Sequence, residues 1–138
     1  MIVDPITELN IVGVYDRGIA NQERIVLYVN ETVNMGKYGV MIGVRAVNKT
    51  AFPIRDNLLW FGDGVVSKGD WIFIYTGPGI PRQTTLPNSE ERLITVHWGQ
   101  KNTILGNEEL LPILFRIDAV LVAEESKHML ERHEKPNP

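Results

Sequence analysis

Five consecutive residues, Trp71-Ile72-Phe73-Ile74-Tyr75, are each aromatic or β-branched, and turn signals close them on both sides: Lys68-Gly69-Asp70 before, Thr76-Gly77-Pro78-Gly79 after. A run of this length between breakers reads as a strand. Both of its faces are apolar, so it reads as a central strand buried on both sides. Alternation sends Trp71, Phe73 and Tyr75 one way and Ile72 and Ile74 the other. The rest of the chain must therefore supply neighbouring strands, and either a core or a partner for the aromatic side.

The surrounding sequence offers those strands. Leu9 to Tyr15 is β-branched around Gly13. Arg24 to Val29 alternates, with Ile25, Leu27 and Val29 on one face. Tyr38 to Val47 gathers Val40, Ile42, Val44 and Ala46. Gly39 and Gly43 lie on its other side, where a bend, a bulge or a close neighbour is expected. Asn48 to Asn57 reads as a loop holding Pro53, Leu58 to Phe61 as a short apolar segment, and Val65-Val66 as the lead into the Ser67–Asp70 turn. Gly77 to Glu91, with Pro78, Pro81 and Pro87, reads as the longest irregular stretch. Leu93 to Trp98 is a further strand. Ile113 to Val122 is the last, with Ile113, Phe115, Ile117, Ala119 and Leu121 as its core face. Short strands at this spacing predict an all-β fold, a two-sheet sandwich with a small β-barrel as the alternative. Residues 1–8 are a lead-in, 9–122 the sandwich domain, and 123–138 a short, polar, solvated tail with room for a turn or two of helix.

Length and composition narrow the functional classes. The 138 residues fit one domain with a core of its own. The absence of cysteine excludes disulfides, thiolate metal sites and a Cys nucleophile. The first residues lack a basic region followed by an apolar one, and no apolar run approaches a membrane span of about 20 residues. A cytoplasmic location without membrane association is therefore expected. The net charge of −3 gives no global attraction to nucleic acid.

Several segments in order resemble a known family. These are Glu23 to Thr32, a strand ending in Asn30; Met35 to Ile42, a loop and a Gly-containing strand; Ser67-Lys68-Gly69-Asp70 leading into Trp71 to Gly77; and Trp98 to Asn102. Together they are similar to the lamin tail domain family, over about residues 9 to 122. The resemblance implies an immunoglobulin-like β-sandwich used for recognition of protein or DNA, without catalysis of its own.

Candidate sites follow from local patterns. From Thr32 to Arg55 there are four basic residues, Lys37, Arg45, Lys49 and Arg55, and no acidic one, with Tyr38 and Phe52 interleaved. This stretch could face phosphates, or be an ordinary solvated surface. The row Trp71, Phe73, Tyr75 could stack bases, but such rows are more often core. His97, His128 and His133 lack the spacing of a helical metal pair. Asp56, Asp63 and Asp70, seven apart and near glycines, read as turns rather than a calcium loop. No catalytic residue, metal ligand or cofactor is assigned. The leading expectation is a non-catalytic interaction module that binds a protein partner, or self-associates, through strand edges and loops. Its aromatic anchors would be Trp60, Trp71 or Trp98. The candidate binding residues are Lys37, Tyr38, Arg45, Lys49, Arg55 and Trp60. The alternatives are a nucleic-acid binder using residues 37–55 and, less favoured, a small enzyme built from His97, Asp63 and Glu109.

Overall fold

The computed structural model describes residues 5–124. Its strands are β1 (Leu9–Tyr15), β2 (Arg24–Val29), β3 (Val33–Asn34), β4 (Tyr38–Arg45), β5 (Ala51–Trp60), β6 (Val65–Val66), β7 (Trp71–Tyr75), β8 (Arg82–Thr85), β9 (Arg92–His97) and β10 (Leu110–Arg116), with one 3-10 turn at Met35–Lys37. They form a five-stranded sheet in the order β1-β2-β7-β9-β8, a three-stranded sheet β10-β4-β5 and a small pair β3-β6. The protein is all-β, and its sheets do not close into a barrel. Every pairing is antiparallel except that of β7 with β9. Among the described residues no helix is long and apolar enough to cross a membrane. The expected tail, residues 123–138, lies outside the described residues from 125 onward, as do His128 and His133.

The core lies between the inner faces of the two large sheets. Ile25, Leu27 and Val29 of β2 and Ile72 and Ile74 of β7 meet Tyr38, Val40 and Ile42 of β4, with Leu105 closing one end. All of these are at most 2 % exposed, and each large aliphatic side chain so buried stabilises the fold by about 1.5–3 kcal/mol. Alternation along β2 and β7 thus selects the isoleucines, leucine and valine for the interior.

It sends Trp71, Phe73 and Tyr75 outward. All three are only half-buried, on the outer surface of the five-stranded sheet. The expectation of a strand buried on both faces is corrected: β7 is central in its sheet, but among the described residues only one face of that sheet is covered.

Three strand expectations also change. The loop expected over Asn48 to Asn57 is largely strand, because β5 begins at Ala51. Pro53 is tolerated there. The Ala46 N–H bonds to the Thr50 carbonyl, and the alternation of bonded pairs puts the donor position of Pro53 on the free edge. Residues 54–57 then bulge out opposite Ile42, with Asp56 at φ 69°. Within the stretch expected to be irregular, β8 pairs with β9. All four of its residues are exposed, so no apolar signal marked it. The last strand is Leu110–Arg116, and its core-facing residues are Leu110 and Leu114 rather than Ile113 and Phe115. Leu114 lies opposite Val40 and Pro112 opposite Ile42, which fixes that choice. Ala119 and Leu121 are exposed.

The expected close neighbours of Gly39 and Gly43 are present. A Cβ on Gly39 would strike the Phe115 ring and lie 2.6 Å from the Leu59 carbonyl oxygen. One on Gly43 would meet the Ile113 side chain and lie 2.9 Å from the Phe52 carbonyl oxygen.

Candidate recognition surface

Buried polar groups hold the frame on which any surface must sit. Asp70 is 1 % exposed. It accepts from Arg92 Nη2 at 2.6 Å and Nε at 3.1 Å, and from the backbone N–H groups of Ser67 (2.8 Å) and Arg92 (3.1 Å). Burial pushes its carboxyl up, but the bonds from Arg92 and Ser67 outweigh this and hold it below the usual range. The Tyr38 hydroxyl donates to Glu8, which Arg116 Nη1 also reaches at 3.0 Å. The Tyr38 bond is the main cause holding the Glu8 carboxyl down at about 2. Burial, then the Glu8 bond, pushes the Tyr38 phenol up to about 12.

The outer face of the five-stranded sheet is built by register. Tyr15 lies opposite Arg24, Arg24 opposite Tyr75, and Tyr75 opposite His97. The next rows hold Val26-Phe73-Thr95-Arg82 and Tyr28-Trp71-Leu93-Thr84. Tyr28 and Trp71 pack edge to face, with centroids 4.8 Å apart, and Tyr75 stacks on His97 at 5.3 Å. The Arg24 guanidinium carbon lies 5.5 Å from the Tyr15 and Phe73 ring centroids and 5.8 Å from that of Tyr75. This is cation–π geometry. Asp16 Oδ2 holds its Nη1 at 2.6 Å. Arg24 Nε and His97 Nδ1 are buried and have no partner among the described residues.

A groove of about 330 Å³ opens on this face, lined by Tyr15, Arg24, Trp71, Phe73, Leu86 and Leu93. Leu86 reaches it because its N–H closes the 86–91 turn onto the Glu91 carbonyl, 2.9 Å away. Apart from Arg24 the lining is apolar. The arrangement can take an aliphatic or aromatic group and offer one cation to it.

The six residues singled out from the sequence do not converge. Lys37 is exposed before β4, and Lys49 is exposed in the β4–β5 turn at φ 60°. Tyr38 is 2 % exposed and engaged with Glu8, so it is unavailable to a ligand. Arg45 lies 3.9 Å from Glu109, and Arg55 lies 3.6 Å from Asp56. Trp60 is half-exposed, its indole N–H bonded to the Gly36 carbonyl at 2.7 Å. The basic stretch is thus spread along one sheet, with acids supplied by its neighbours. Arg82 and Arg92 belong to the other sheet. Among the described residues no group of three or more His, Asp or Glu side chains could hold a metal. What the sequence reading missed is the outward aim of the aromatic row, together with Arg24 and Leu86. The alternation of Arg24, Val26 and Tyr28 opposite three core residues was the available signal.

The sheet edges carry features that oppose pairing with another strand. A bulge interrupts β1 between Ile11 and Gly13. Pro53 and the 54–57 bulge interrupt β5, and β8 is short and fully exposed. In β10 the bonds of Arg45 to Glu109 and of Ile117 to Lys37 put Pro112 at an outward position, where it removes a donor. Compared with protein-family models, curated proteins and solved structures, the chain matches none.

Proposed function

We propose that this protein is a non-catalytic interaction module that recognises a protein partner, a second copy of itself included, through the outer face of its five-stranded sheet. One observation carries the reading: Trp71, Phe73 and Tyr75 are turned away from the core around an apolar groove. Half-buried aromatic rings beside a guanidinium are the composition of energetic centres in protein interfaces. The blunted edges move the expected contact from strand pairing to this face. The resemblance to lamin tail domains points the same way, toward immunoglobulin-like recognition without catalysis.

A second reading, single-stranded nucleic acid, is favoured by a different observation. The strand residues on this face carry two cations, Arg24 and Arg82, and no acid, beside rings able to stack bases.

Titration of the folded protein with anilinonaphthalene sulfonate, an apolar ring system bearing one anion, tests the groove. Saturable binding is expected, lost in Phe73→Ala while the far-ultraviolet spectrum is kept. Binding unchanged in that variant would refute the groove. A shift with oligonucleotide that weakens as salt rises, and is lost in Arg82→Glu, would select the second reading.

A further inference from the structure

The described chain ends in a segment with an unusual surface. Beyond Ile117, whose N–H donates to the Lys37 carbonyl at 2.6 Å, it makes no backbone hydrogen bond among the described residues. Val120, Leu121 and Val122 are 71 %, 97 % and 75 % exposed. Three adjacent aliphatic side chains held in water, on unpaired backbone of high β-propensity, form a contact surface that nothing described here covers. Asp118 and Glu124 bracket them.

The groove on the five-stranded sheet has the complementary make-up. It is apolar, large enough for one or two aliphatic side chains, and lined by the Arg24 cation, while Arg82 lies outside the lining, in the strand row of Phe73 and Thr95. Arg24 Nη2 makes no hydrogen bond among the described residues, and Arg82 is exposed and makes no ion pair among them. The spacings also correspond. Arg24 and Arg82 are three strand intervals apart and one row out of step, about 16 Å between backbones. The six steps from Asp118 to Glu124 span about 20 Å when extended, and two arginine side chains cover the difference.

Resting on the reading of this face as a protein-binding surface, we propose that the groove is filled by the Asp118–Glu124 segment of a second copy of this chain. Leu121 and a flanking valine enter between Trp71, Phe73 and Leu93, while the two carboxylates meet Arg24 and Arg82. The segment leaves the three-stranded sheet, whereas the groove opens on the far side of the core, so donor and acceptor belong to different molecules. Such a contact joins unlike surfaces. It closes into a dimer if exchanged reciprocally and otherwise builds chains.

Sedimentation of the full chain over a range of concentrations tests this. The wild type is expected to self-associate, and Leu121→Asp, at a position too exposed to disturb folding, to weaken association at least about tenfold. Arg82→Glu is expected to weaken it too, with recovery when Asp118→Lys and Glu124→Lys are added. An equimolar mixture of Leu121→Asp, which keeps the groove, and Phe73→Ala, which keeps the segment, should form a one-to-one complex that neither variant forms alone. A monomer at every concentration, or association untouched by Leu121→Asp, would overturn the proposal. So would association lost in Leu121→Asp but kept in both Phe73→Ala and Arg82→Glu. If the monomeric wild type still binds the sulfonate dye in a Phe73-dependent way, the groove stands and only its occupant is wrong. Loss of both removes the underlying reading.

Discussion

The hydroxyl of Thr76 donates to the carboxylate of Glu23 across 2.6 Å, in a pocket where both residues are at most 2 % exposed. Three backbone N–H groups, from Gly18, Ile104 and Leu105, reach the same carboxylate at 2.9 Å. One side chain therefore joins the β1–β2 turn, the end of β7 and the loop before β10.

Replacing Glu23 with Gln puts an amide NH2 where donors already converge. A buried donor facing donors costs about 1–3 kcal/mol beyond the bonds lost. Urea unfolding should show a total loss of about 3 kcal/mol for Glu23→Gln, against about 1 kcal/mol for Thr76→Val, which removes one donor and keeps the shape. Equal losses would contradict this account of the carboxylate as the hub.

Stability should fall at both ends of the pH scale. The Glu8 carboxyl is held down from 4.5 to about 2. Its contribution is present above about pH 4.5 and is lost as pH falls toward 2. The Tyr38 phenol is held up from 10.0 to about 12. Its contribution is present below about pH 10 and is lost as pH climbs toward 12. The urea midpoint followed from pH 2 to 12 should decline on both limbs. In Tyr38→Phe the tyrosine's share of the alkaline decline disappears. The acid limb shrinks without vanishing, because Asp70 is also held below its usual range.

Glycine substitutions should separate close approach from open space. Gly39→Ala drives a methyl into the Phe115 ring and the Leu59 carbonyl, and should cost about 1–3 kcal/mol. Gly64, where a Cβ would meet nothing within 4 Å among the described residues beyond its chain neighbours, should accept Ala within about 0.5 kcal/mol. Thermal melts of the two variants check the contrast.

Arg24→Met keeps an apolar stem in the groove and removes the cation. The lost contacts with Tyr15, Phe73 and Tyr75 and the unpaired Asp16 should lower stability by about 1 kcal/mol. Sulfonate dye affinity should fall while binding of a neutral apolar dye persists. A parallel loss of both dyes would mean that the guanidinium shapes the groove rather than attracting an anion.

The limits of legibility are physical. β1, β2 and β7 have the same first and last residues in sequence and structure, because polar turns flank apolar runs at each. The inward face of β10 is not legible locally because Leu110-Leu111-Pro112-Ile113-Leu114-Phe115 is apolar on both sides, and only pairing with β4 decides which side is inward. Nothing local marks Arg82 to Thr85 as a strand, since its order comes from β9 alone. The aromatic row has the composition of a core because Trp, Phe and Tyr bury readily. Isoleucines on the opposite side took that place, leaving the rings to the surface. The basic stretch looked concentrated only because Glu109, far along the chain, could not be seen to fold back beside Arg45.

The parallel pairing of β7 with β9 has a temporal consequence. A parallel neighbour cannot follow from a tight turn, so β9 joins β7 only after the chain from Thr76 to Glu91 has looped back. Leu86 and Leu93, one wall of the groove, arrive with that step, and the Asp70–Arg92 pair latches it. Without β9 the sheet would present the rings but not the cleft. On the reading of this face as a binding surface, only copies with β9 in place would carry the complete cleft.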